Sequence, residues 1–106
     1  DLAREQLKEE ALGLQQAGCF SIVLELVQQD TAAEITEMLT IPTIGIGAGP
    51  HCDGQVLVMH DILGFGPERT FYKIFGNARE VMEHAFRDYI REVKEGTFPT
   101  EEQGHR

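Results

Sequence analysis

The sequence predicts an α/β protein built on a small parallel sheet. Two observations carry this. Helical and strand-like stretches follow one another in the order helix, strand, helix, strand, strand, helix, and such alternation is the pattern of parallel strands joined by helices. The first strand-like stretch, "SIVLELV" at 21–27, is apolar almost throughout, as a strand covered on both faces is. A length of 106 residues suits one small domain.

Each element has a local reason. Residues 2–17 place Ala3, Leu7, Ala11 and Leu14 on one helical stripe with charges opposite, and Gly18 follows as a stop. Phe20 to Val27 reads as a strand. Thr31, with Glu34 three residues on, has the form of a capping box for a helix reaching about Leu39. Pro42 ends that unit, and Thr43–Ile46 is a second strand running into the glycine loop "GAG". A third is expected from Gln55 to about His60. From Phe71 to Val93 apolar residues keep helical spacing, broken at Gly76-Asn77, with Asn77 as a cap and Glu80 at its third position. Gly96 ends the helix and "TFPTEEQGHR" is a polar tail.

One link resists the pattern. Between Gly47 and Gln55 there is too little chain for an ordinary parallel crossover, so local rules alone draw a hairpin there. Three apolar strands with an incomplete set of helices also cannot cover both faces of a parallel sheet, so the chain reads as part of a domain. It opens inside a helical pattern without a methionine, and the natural start is expected upstream.

Composition excludes several roles. Eighteen acids against 9 bases give a net charge of -9, which argues against nucleic acid and anionic membrane surfaces as partners. No apolar run approaches the ~18 residues of a membrane span. Cys19 and Cys52 lack the spacing of a disulfide framework and suit a reducing compartment.

Candidate chemistry begins with Glu25, a carboxylate inside an apolar run. Buried charge is costly unless paired or neutralised, so Glu25 is at the surface, satisfied by a partner, or kept for chemistry. It lies late in its strand, where α/β folds gather catalytic groups, and apolar Leu24 and Leu26 beside it would favour a base working near neutral pH. The alternative is a salt-bridged or edge-facing glutamate. Gly45, Gly47 and Gly49 alternate, but Pro50 breaks the G-x-G-x-x-G phosphate fingerprint, which leaves a rim loop where backbone comes close to a neighbour. His60-Asp61 offers an acid or a metal ligand, or more simply a turn cap. Cys19, His51, Cys52 and His60 lack zinc-finger spacing.

"AGCFSIVLELV", "EITEMLTIPTIGIGAGPHCDGQVLVMHDILG" and "YIREVKEGTFPTEE" together closely resemble the ketopantoate hydroxymethyltransferase family. The resemblance covers nearly the whole chain. It implies the C-terminal portion of a (β/α)8 TIM barrel, about strands six to eight, and so a short link between adjacent parallel strands in place of the hairpin. It implies transfer of a one-carbon unit from 5,10-methylenetetrahydrofolate to 3-methyl-2-oxobutanoate, giving ketopantoate on the route to pantothenate. Glu25, in the family's "VLE" strand end, would be the proton acceptor. A magnesium ion is implied too, with its ligands on an N-terminal segment of the barrel outside this chain, which is then a necessary partner. A cytoplasmic homo-oligomer is expected. Two other readings stand beside this: a related metal-dependent oxo-acid barrel of the phosphoenolpyruvate mutase and isocitrate lyase group, and an inactive half-barrel serving as an interaction piece.

Overall fold

The computed structural model describes residues 1–106. The chain forms two compact units, Asp1–Val58 with Arg69–Lys73, and Met59–Glu68 with Ile74–Arg106.

In the first unit, helix α1 spans Leu2–Gln16. Asp1 caps it, its Oδ1 accepting the Arg4 N–H at 2.8 Å. Gly18 closes it in a left-handed conformation, φ 103, and the Cys19 N–H reaches back to the Leu14 carbonyl at 3.2 Å, which satisfies a terminal acceptor. Strand β1 is Ile22–Glu25, helix α2 Gln29–Met38, strand β2 Thr43–Ile46 and strand β3 Gly54–Gln55. The sheet order is β1-β2-β3 with both pairings parallel, and Glu25 lies beside Ile46 at the last rung of the first pair.

Alternation along β1 sends Ile22 and Leu24 to a buried face and Val23 and Glu25 to an exposed one. The buried face packs on Ala11 of α1 and on Ala32, Ile35 and Leu39 of α2 and its end, with Ala48. The expectation of a strand covered on both faces is met on one only. Val23 remains 61% exposed.

The capping box at Thr31 does not form. Helix α2 begins three positions earlier, with Gln28 at its N-cap and no side-chain cap bond. The Thr31 hydroxyl instead accepts from Arg4 Nε at 3.1 Å, and Arg4 and Lys8 both pair with Glu34 at 3.4 Å. A contact between helices has taken the groups that local capping would use.

The hairpin drawn from local rules is replaced by a parallel return, as the family resemblance implied. Strand β3 starts beside Ile44, so the chain climbs back only one short strand length. Asp53 secures the return: its Oδ2 accepts the Thr43 N–H at 2.9 Å, and the Thr43 hydroxyl accepts the Asp53 N–H at 3.2 Å. The start of β3 is thereby tied to the start of β2, which only a parallel pairing allows.

Strand β3 is also shorter than the expected run to His60. The Val56 N–H still donates to the Gly45 carbonyl at 3.0 Å, but β2 bends away at Gly47, φ 66, and the ladder has no further rungs. His60 and Asp61 lie instead on a single helical turn, α3, Met59–Ile62.

In the second unit, helix α4 spans Ala78–Glu95. Asn77 caps it as expected, accepting the Glu80 N–H at 3.0 Å, and Gly96 ends it at φ 76. The helix expected before Gly76 is absent. The Phe75 N–H donates instead to the Ile62 carbonyl at 2.9 Å, so it is not free for an internal ladder. No α4 side chain is buried. Val81, Met82, Phe86, Tyr89 and Ile90 are all exposed, while the polar face carries ion pairs. Arg91 there is held above its usual pKa by its hydrogen bond to Asp88 and the charge of Glu95. The tail makes one 3-10 turn, Glu101–Gln103, closed by a capping box between Thr100 and Gln103. No helix is long and apolar enough to cross a membrane.

Candidate active site

The candidate site lies at the carboxyl ends of β1 and β2. Glu25 is the last residue of β1 and sits on the exposed face. Its side chain has no hydrogen-bond or ion-pair partner within the chain, which leaves its oxygens available to a ligand.

Leu26 follows with φ 53, the only non-glycine residue in the chain with positive φ. That conformation costs an L-residue about 1–2 kcal/mol. Its N–H donates to the Ile46 carbonyl at 2.9 Å, so the ladder extends one bond past Glu25.

The glycine loop is explained by contact. A Cβ on Gly47 would stand 2.7 Å from Leu26 Cδ2 and 3.2 Å from Phe71 Cβ, and one on Gly49, φ 84, would stand 2.5 Å from Gln29 Cβ. The loop after β2 therefore presses on the loop after β1, as a rim rather than a phosphate cradle. Gly45 has Cys52 as close cover, 2.9 Å from Sγ to its Cβ position.

Between these loops opens a cavity of about 820 Å³, walled by Leu26–Gln29, Gly47, Gly49, Pro50, Cys52–Gln55, Thr70 and Phe71. Its one carboxylate, Asp53, is engaged by Thr43. The Gln55 amide donates to the Gly49 carbonyl at 3.0 Å and braces the wall. Glu25 lies on the other side of the same loop. It borders a cleft of about 350 Å³ with Arg4, Gln28 and Thr31 among its neighbours. Leu26, Val27 and Gln28 line both spaces.

His60 packs edge-on against Phe65 with ring centroids 5.9 Å apart. No three His, Cys, Asp or Glu side chains gather where they could hold a metal ion. Three residues were missed at the level of sequence. Asp53 sits in a glycine-rich turn and reads as a turn former, Leu26 reads as one more apolar strand residue, and Phe71 reads as part of the helical stripe. No local signal separates these roles, since each partner is distant along the chain.

Fold and site together define an α/β protein with a carboxylate at the carboxyl end of a parallel strand, poised at an open cleft. A family model described as ketopantoate hydroxymethyltransferase matches residues 1–101. The chain belongs to that family. The 3-methyl-2-oxobutanoate hydroxymethyltransferase of Geobacter sulfurreducens is 53% identical over 107 residues, covering 99% of this chain and 39% of the relative. The enzyme of the same name from Thermotoga maritima is 54% identical over 101 residues, 93% of this chain and 37% of its own length. That from Clostridium kluyveri is 57% identical over 98 residues, 89% and 34% respectively. The chain thus spans less than two fifths of the length of these relatives.

Proposed function

We propose that this chain supplies the proton acceptor of a 3-methyl-2-oxobutanoate hydroxymethyltransferase. The observation that carries it is Glu25: an unpartnered carboxylate ending a parallel strand at an open cleft, in a chain of that family. Glu25 removes the proton from C3 of 3-methyl-2-oxobutanoate; C3 then bonds to the methylene carbon of 5,10-methylenetetrahydrofolate, whose two bonds to the folate nitrogens break, water supplies the hydroxyl, and tetrahydrofolate leaves. Ketopantoate is the product, in the cytoplasm, toward pantothenate.

The residues present do not fit a magnesium site, since no ligand cluster forms among them. The ligands expected in the family belong to the remainder of the protein. In this reading residues 1–106 are the C-terminal part of one (β/α)8 barrel domain, with β1, β2 and β3 as about the sixth to eighth strands. The parallel neighbours and the uncovered face at Val23 and Glu25 support that placement. The assembled enzyme is a homo-oligomer.

The test is Glu25→Gln in the whole enzyme, which keeps shape but loses the base. Exchange of the C3 proton into deuterated water falls ~10²-fold or more with folding intact. Exchange at the wild-type rate removes Glu25 from the mechanism.

A further inference from the structure

We infer that Leu26 is a positioning residue for Glu25: its left-handed backbone and its side chain hold the carboxylate's rung of β1 against β2. The inference rests on the proton-acceptor role of Glu25.

An exposed leucine in this conformation is disfavoured twice. Glycine or asparagine adopts positive φ more easily, and 61% of the Leu26 surface stays in water. Leu26 belongs to no buried core cluster. What it does is local. Its N–H adds a ladder bond to Ile46 one residue beyond Glu25, at 2.9 Å. Its positive φ turns the chain so that Val27 and Gln28 alone lead into α2. Its Cδ2 occupies the space that a Cβ on Gly47 would need, at 2.7 Å, and Phe71 closes on the same point. The turns after β1 and β2 therefore interlock, Leu26 into Gly47. Glu25 and its register partner Ile46 lie directly before that lock and cannot slide past each other without breaking it. A base needs placement within about 0.5 Å, and a displacement of about 1 Å can cost ~10²-fold in rate.

The experiment compares Leu26→Gly, Leu26→Asn, Leu26→Met and Glu25→Gln in the whole enzyme, by C3-proton exchange kinetics and melting temperature. Gly and Asn relieve the backbone and remove the apolar side chain. They are expected to lower kcat for exchange about tenfold or more, with KM little changed and no lower melting temperature. Met refills the space over Gly47 and restores kcat to within about threefold of wild type. A wild-type rate in Leu26→Gly, beside a collapsed rate in Glu25→Gln, overturns the role of Leu26 alone. So does a loss of rate in Gly and Asn that merely follows a loss of melting temperature. A wild-type rate in Glu25→Gln overturns the proton-acceptor reading and this role with it.

Discussion

Asp53 and Thr43 bind each other twice, carboxylate to backbone N–H at 2.9 Å and hydroxyl to backbone N–H at 3.2 Å. The pair continues inward. The Thr36 hydroxyl donates to the Ala32 carbonyl at 2.8 Å and meets the Thr43 hydroxyl at 2.8 Å. Each hydroxyl has one proton, so Thr43 donates to Thr36. The Asp53 carboxylate is then left to the backbone N–H, which fits the longer 3.4 Å to the Thr43 hydroxyl. A polar chain thus runs from α2 through a fully buried Thr43 to the start of β3.

Removing the carboxylate should therefore be felt in stability. Asp53→Ala leaves the buried Thr43 N–H without an acceptor, at a cost of about 1–3 kcal/mol. Asp53→Asn retains an oxygen for that bond and should lose less than half as much. Denaturant unfolding of the two variants in the whole enzyme checks the order, and equal losses would mean that charge, not the bond, matters.

Two glycines should respond in opposite directions. Gly49→Ala forces a Cβ to 2.5 Å from Gln29 Cβ at φ 84, and strain of that kind costs about 1–3 kcal/mol. Gly13 lies inside α1 with nothing within 4 Å of its Cβ position. Gly13→Ala should stabilise by about 0.5–1 kcal/mol. Melting temperatures of the two variants decide, and a shift of the same sign in both would contradict the geometry.

Glu25→Asp keeps the charge but withdraws it by one methylene. Because Glu25 is exposed and unpartnered, stability should stay within about 0.5 kcal/mol of wild type. Proton exchange should fall about 10- to 100-fold from misplacement. A large loss of stability would show instead that Glu25 holds the fold.

The apolar side of α4 predicts assembly. Met82, Phe86, Tyr89 and Ile90 are 47–62% exposed, more apolar surface than a helix facing water carries. Light scattering at micromolar protein should report a homo-oligomer for the whole enzyme, and Phe86→Glu should reduce its mass. A single-subunit mass in the wild type speaks against the proposal.

Residues 1–106 expressed alone should aggregate and lack activity. Val23, Leu26, Val56, Val58 and the α4 stripe stand exposed together with two open sheet edges, and such surfaces recruit other chains. Soluble monomer with a sharp cooperative melt and turnover would overturn this.

The sequence alone determined those features whose cause is local. Thr43–Ile46 has its observed limits because Pro42 and Gly47 bound it. Gly18, Asn77 and Gly96 act where they stand, since caps and left-handed closures involve residues only a few positions apart. That Glu25 lies late in its strand was legible in the same way, from an apolar run giving way to "QQD", but the run was read as strand from Phe20 to Val27, whereas β1 is Ile22–Glu25 and ends where Leu26 takes positive φ. Tertiary structure decided the rest. The cap of α2 lies at Gln28 rather than Thr31, whose hydroxyl accepts from Arg4 instead. β3 stopped at Gln55 because its partner β2 turned away at Gly47. Phe71 left its helical stripe to pack on Gly47, and Leu26 took positive φ where a leucine gains nothing locally. In each case the partner lies far along the chain, and its contact outweighs a local preference of about 1 kcal/mol.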